Sequence, residues 1–397
     1  MFASAAVLAP LVLAFVVSLL VSLIIVATRG FHGRHTLDSH GGIQKIHEFP
    51  APRVGGLGLA IGAIAGGTML PDAAQALWWM ICLAAVPAFL AGLTEDITKR
   101  VSVRSRLAAT ILSGAIFSVV TGYTISHIGF GPIDVVLGVA VVSVLFSSFA
   151  IGGIANAFNI IDGCHGLASG TAVILLGAFG VIAYQASDGD LVWVIAMSAA
   201  VLVGFLLVNF PMGKLFLGDA GAYSVGFLLA AIAIALPARN PQVSPVIGLL
   251  VLSYPVMETF YSIWRRSRIK GSAVGQPDRL HLHSLMFQAM TVRIKSARLR
   301  NPMSSVVLWS LPLLSAVFGD LFARSSLTDE LALTFTVFFA YYGVYRAVSL
   351  VAQASVAAKV KPIVTGEEHL ARDQAPPQKT TARGDSDLEP QRIKRGR

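Results

Sequence analysis

The chain has 397 residues, of which 55% are hydrophobic and only 13% charged; a soluble domain carries about 25% charged residues, so an ordinary water-soluble enzyme is excluded and a polytopic membrane protein is expected. The net charge of +9 would suit nucleic acid, but its placement along the chain argues for membrane orientation, with no nucleic-acid partner. The two cysteines, Cys82 in an apolar run and Cys164 in a polar loop, exclude a disulfide framework and a cysteine zinc site.

The fold class predicted is all-α, a multi-span membrane protein with about eleven transmembrane helices, at approximately 4–28, 54–70, 74–93, 107–125, 135–155, 167–185, 191–210, 221–237, 243–264, 304–322 and 329–351. Unpaired backbone groups are too costly in hydrocarbon for anything but helices here. The first run has no basic residue before it, and about 20 residues suffice to cross, so it reads as a retained helix rather than a cleaved leader. The runs 54–70 and 221–237 are short and glycine-rich. Alternate loops (29–53, 94–106, 156–166, 211–220, 265–303) hold eighteen Lys and Arg residues, whereas the opposite set holds only Arg239 and Arg324. The positive-inside rule then places the N-terminus outside and the C-terminus in the cytoplasm. Residues 1–355 form the expected membrane catalytic domain. The polar, basic segment 356–397 reads as a disordered cytoplasmic tail.

Carboxylates recur at one kind of position, the cytoplasmic edge of a span. Glu95-Asp96 closes one span and precedes Lys99, Arg100, Arg104 and Arg106. Such acids can accept a proton or approach a metal while the basic groups hold phosphate; a helix terminus with flanking basic residues has the same appearance. In Asn156-Ala-Phe-Asn159-Ile-Ile-Asp162-Gly-Cys-His165-Gly, Asn156 and Asn159 share a helix face that Asp162 continues. Oxygen-bearing groups at that depth need partners, in a site or in an inter-helix seam. In Phe216-Leu-Gly-Asp219-Ala-Gly, an acid opens a span; it suits a hard cation such as Mg²⁺, and an N-cap would look alike. The long loop carries Arg279-Leu-His281-Leu-His283, whose alternating basic side chains share one side of an extended strand and can grip a diphosphate. Lys45 and Arg53 lie in a basic, turn-rich lead-in to the second span. Glu258 stands seven residues before Arg265, about 10 Å inside the membrane edge at 1.5 Å per residue. It is a functional candidate by default, with neutralisation by Arg265 or Arg266 as the alternative.

Together these segments, over roughly residues 40–290, resemble the polyprenyl-phosphate N-acetylhexosamine-1-phosphate transferases in order and topology. The run from Asn156 to Leu167 and the run Phe216-Leu-Gly-Asp-Ala-Gly221 carry most of the likeness. His47-Glu-Phe-Pro-Ala-Pro-Arg-Val-Gly-Gly56 is similar to the branch initiating O-antigen and teichoic acid, and His281-Leu-His283 differs from the three consecutive histidines of the peptidoglycan branch. The resemblance implies a Mg²⁺-dependent reaction, with Mn²⁺ as a substitute, at the inner face of a bacterial cytoplasmic membrane. A polyprenyl phosphate would attack the β-phosphate of a UDP-amino sugar, releasing UMP and starting a cell-surface polysaccharide. It implies metal contacts for Asp219 and Asn159, and catalytic positions for Glu95, Asp96, Asp162 and Asp219. Lys45, Arg53, Arg106, Asn156, His165, Arg279, His281 and His283 would hold substrate. Glu95 replaces the usual first Asp, and His165 stands where many bacterial members have a second Asp. A homodimer is compatible with this reading.

Two other classes carry different signatures. A cation-coupled carrier tends to place ionisable groups near the midplane and to repeat internally, whereas these acids lie at span edges. A CDP-alcohol phosphotransferase carries several closely spaced aspartates on one segment, which this chain lacks.

Overall fold

A computed structural model describes residues 5–37, 50–268 and 280–373. Helices follow one another throughout: α1 (Ala5–Ala27), α2 (Arg29–Thr36), α3 (Gly55–Gly67), α4 (Asp72–Thr98), α5 (Val103–Thr121), α6 (Gly131–Leu137), α7 (Ala140–Ile161), α8 (Leu167–Gln185), α9 (Gly189–Asn209), α10 (Gly218–Arg239), α11 (Ile247–Val251), α12 (Ser253–Ser267), α13 (Leu282–Ala289), α14 (Ala297–Leu308), α15 (Ser310–Phe322) and α16 (Leu327–Asp373). Local chemistry sets several of the ends. Lys99 adopts φ 55° after α4, and the Ser102 hydroxyl accepts from the Ser105 N–H at 3.1 Å to start α5. Both satisfy backbone groups that a helix leaves open.

Nine helical stretches among the described residues are long and apolar enough to cross a membrane. The chain is therefore a multi-pass membrane protein of all-α class. The two other expected spans take shorter forms. Residues 54–70 give the 13-residue α3. The span expected at 243–264 is broken at Leu252 into α11 and α12. Pro255 has no N–H for the Val251 carbonyl, and the Ser315 hydroxyl donates to that carbonyl at 3.1 Å instead. Three further boundaries differ from expectation. The run 221–237 grows into the 22-residue α10. The span placed at 135–155 becomes α7, preceded by the separate α6, so Asn156 and Asn159 lie within the helix and Asp162 just beyond it. Finally, α16 runs on as helix to Asp373, across the first part of the expected tail; residues 374–397 lie outside the described residues.

The core is organised around α10, which packs against α3, α4, α7 and α8. Ala220, Ala222, Ala231, Ala235, Phe227 and Leu229 of α10 are all fully buried. Lipid offers no hydrophobic drive between helices, so close approach of small side chains carries much of their association. The first helix packs on α3 and α9, and its Ser18 hydroxyl donates to the Val201 carbonyl at 2.8 Å. Outward faces present Val119, Leu145, Phe149 and Phe339, as lipid contact requires.

Candidate active site

At one end of the bundle the chain builds a polar centre on the first turn of α10. Two backbone segments are zipped together there. The Phe216 N–H donates to the Pro52 carbonyl at 2.8 Å, and the Gly55 and Gly56 N–H groups donate to the Phe216 and Leu217 carbonyls at 3.0 Å each. This fixes Arg53 beside Asp219. Gly218 sits at φ +74°, and a side chain there would collide with the Arg53 carbonyl and the Asp96 carboxylate. Only glycine satisfies both demands.

Four segments distant in sequence converge on the α10 terminus. Arg53 Nη2 donates to Asp219 Oδ1 at 3.2 Å, and Arg106 of α5 donates to Asp219 Oδ2. The Asn159 amide of α7 donates to Asp219 Oδ1 at 3.0 Å. Asp96 of α4 comes from beneath: it accepts the Asp219 N–H at 2.8 Å and the Ala220 N–H at 3.0 Å. Asp96 is fully buried and caps α10 from another helix, where a carboxylate also meets the positive end of the helix dipole. The two acids of the Glu95-Asp96 pair thus have different partners. Glu95 is half-buried and accepts the Val101 N–H at 2.8 Å, closing the α4–α5 turn.

The turn after α7 lies alongside. Asp162 is half-buried. Desolvation pushes its carboxyl up to about 7; Arg53 opposes the rise and the Asp219 charge adds to it. Cys164 is buried, and desolvation with the nearby Asp162 pushes its thiol up to about 12, which leaves it inert as a nucleophile. His165 stacks on Phe216 with ring centroids 5.9 Å apart and places its Nδ1 3.1 Å from the Pro211 carbonyl. Asn156, expected to bind substrate, instead donates to the Thr110 hydroxyl at 3.0 Å and the Gly152 carbonyl at 2.8 Å. It belongs to the α5–α7 seam, because residues three apart on a helix are offset by about 60° around its axis, enough to aim Asn156 at α5.

The histidines also differ from expectation. His281 precedes α13 and His283 lies in its first turn, so no extended strand aligns them. Their rings nevertheless stack at 5.5 Å and 10°. Both are buried, and His283 occupies the space a side chain on Gly163 would need. Glu258 faces them: His281 Nδ1 lies 3.0 Å from its Oε1, and Tyr341 of α16 donates to its Oε2 at 2.5 Å. His281 and Tyr341 thus stand where the alternative reading had Arg265 or Arg266. Tyr341 was absent from the sequence reading; its i, i+4 spacing with Tyr345 on an apolar helix was the available signal. Lys45 and Arg279 lie outside the described residues.

Comparison with known proteins matches the family model of Glycosyl transferase family 4 to residues 78–237, which contains Glu95, Asp96, Arg106, Asn159, Asp162 and Asp219. The undecaprenyl-phosphate alpha-N-acetylglucosaminyl 1-phosphate transferase of Yersinia pestis is 30% identical over 253 residues, covering 62% of this chain and 68% of that protein. A protein of the same name from Escherichia coli strain K12 is 30% identical over 254 residues, again 62% and 68%. The "probable undecaprenyl-phosphate N-acetylglucosaminyl 1-phosphate transferase" of Bacillus subtilis is 30% identical over 280 residues, or 69% and 76%. The chain belongs to the polyprenyl-phosphate N-acetylhexosamine-1-phosphate transferase family. In this family member Arg53 lies before the matched segment and the Glu258–His281–Tyr341 group after it, so the polar centre extends past the family model on both sides.

Proposed function

We propose that the chain transfers an N-acetylhexosamine 1-phosphate, such as GlcNAc 1-phosphate, from a UDP-sugar to undecaprenyl or a related polyprenyl phosphate. The reaction takes place at the cytoplasmic face of a bacterial inner membrane and starts a surface polysaccharide. The observation that carries this reading is the meeting of Arg53, Arg106 and Asn159 on one carboxylate, Asp219, at a span edge. One substrate is a lipid and the other dissolves in water, so a site at the membrane boundary serves both.

In the reaction an oxygen of the lipid phosphate attacks the β-phosphorus of the UDP-sugar. The bond from that phosphorus to the bridging oxygen breaks, and UMP leaves with the bond's electrons. The nucleophile is already anionic, so the main obstacle is repulsion between two phosphorylated partners. Arg53 and Arg106 approach Asp219 from two sides and supply guanidinium forks suited to phosphate oxygens. Half-buried Glu95, on the edge of α4, is the acid of its pair placed to take a proton, while buried Asp96 holds Asp219 in place.

The donor set fits Mg²⁺. No group of three His, Cys, Asp or Glu among the described residues is arranged to hold a metal unaided. Mg²⁺ commonly takes one or two carboxylates and completes its shell with water and substrate phosphate. Asp219 would hold it with the amide oxygen of Asn159. When bound, the ion offsets the phosphate charges and stabilises the leaving group.

The test is to incubate the purified chain with undecaprenyl phosphate, a panel of UDP-N-acetyl sugars and Mg²⁺, and to measure UMP. Release of UMP with one donor, abolished by EDTA, is expected. Folded protein that releases none from any donor overturns the reading.

A further inference from the structure

We infer that the last membrane helix completes the site: Glu258, held by Tyr341 of α16, is a positioning residue that seats His281, and through it His283, against the turn carrying Asp162. The inference rests on the function proposed above.

The connection is continuous through side chains. Tyr341, 2% exposed, donates to Glu258 Oε2 at 2.5 Å. The other oxygen, Oε1, lies 3.0 Å from His281 Nδ1 and accepts the Leu282 N–H at 3.1 Å. One turn along α16, the Tyr345 hydroxyl donates to the Leu280 carbonyl at 2.8 Å. The segment 280–282 is thus tied at three successive residues, two through Glu258 and one directly to α16. The His281 ring then lies parallel to that of His283, and His283 fills the space above Gly163, next to Asp162.

This set of contacts goes beyond joining helices. The edge-on and tilted ring contacts of Tyr261 with Tyr341, Tyr342 and Tyr345 already pack α12 on α16. A buried carboxylate adds a desolvation cost to that packing, and its specific yield is orientation. A carboxylate only accepts when ionised, so it assigns the proton on Nδ1 of His281 and turns Nε2 to the opposite edge of the ring. Tyr341 supplies the donor that keeps Oε2 from being left unsatisfied.

The experiment compares wild type with Tyr341→Phe, Tyr345→Phe, Glu258→Gln, His281→Ala and the double variant Glu258→Gln/His281→Ala. All are full-length in detergent with undecaprenyl phosphate, UDP-N-acetylglucosamine and Mg²⁺. Tyr341→Phe keeps the ring and removes one hydrogen bond, so the KM for the UDP-sugar should rise about tenfold. Its kcat should stay within about twofold and its KM for the lipid should not move. Glu258→Gln should have the larger effect, and little further effect once His281 is Ala, because the two act as one unit. Wild-type kinetics in both Tyr341→Phe and Glu258→Gln overturn the inference. So does additivity with His281→Ala, or a fall in kcat and both affinities in step with thermal stability, which would mark a structural role only. If wild type turns over no donor, the proposed function fails, and calorimetric binding of UDP to the same variants decides this point separately. Binding weakened about tenfold in Tyr341→Phe supports the inference, and equal binding overturns it.

Discussion

The two ends of α10 use the same residue types to opposite purpose. At its C-terminal end, Arg239 forks onto Asp188 through Nε at 2.6 Å and Nη2 at 2.7 Å, and donates to the Tyr123 hydroxyl at 2.9 Å. Asp188 also accepts from the Asn240 amide at 3.0 Å and caps α9 through the Leu191 N–H at 3.2 Å. Burial works against ionisation there, but these donors hold the Asp188 carboxyl below its ordinary range. At the N-terminal end, two arginines from different segments share Asp219, and half-buried Asp162 stands by with a raised pKa. One arginine, forked onto Asp188 and 3.6 Å from Asp190, makes a clamp. At the N-terminal end two guanidinium groups from separate segments converge on Asp219, and Arg53 also lies 3.7 Å from Asp96; this gathering of cations from two segments separates the candidate site from the brace.

Asp219→Asn should separate the two ends most sharply. Turnover is expected to fall about 10³-fold with little change in the melting temperature. Wild-type turnover would remove Asp219 from the metal role. Arg106→Lys comes next: it keeps the charge but loses the fork, and a fall of about 10²-fold in kcat/KM is expected. Arg239→Gln should reverse the pattern, costing about 1–3 kcal/mol of stability through Asp188 left short of donors. Its UMP release, assayed below the melting range, should match wild type; lost turnover in a folded protein would sink the brace assignment. The smallest effect concerns pH. Asp162 has a folded pKa raised to about 7, above its unfolded value of about 4. It therefore favours the fold fully below that unfolded value, and the contribution is lost as pH rises to about 7. Asp162→Asn should flatten this slope between about pH 4 and 7 in thermal melts, and an unchanged slope would assign the titration to another group.

Much of this was legible in the chain. Apolar runs gave the all-α membrane class, and the recurrence of Glu95-Asp96, Asp162 and Asp219 at span edges on one side, with basic residues nearby, pointed to one polar centre. What stayed hidden was hidden for physical reasons. Hydropathy cannot tell a glycine-rich run on a weak span from one packed at the centre of the bundle, so α10 was underestimated. The capping contact of Asp96 was not legible because an N-cap is normally local, and here it arrives from another helix. The partner of Glu258 was sought among nearby arginines, whereas the structure supplies Tyr341, 83 residues away. Asn156 shares a motif with Asn159 but faces α5, a distinction set by rotation about the helix axis.

The cap on α10 also bears on how the protein is made. Asp96 precedes Asp219 by 123 residues, so α4 is made well before the helix whose amides its acid accepts. A chain halted before α10 leaves that acid without the two amides that donate to it. The N-terminal end of α10 therefore takes its final form only after the chain has passed Ala220.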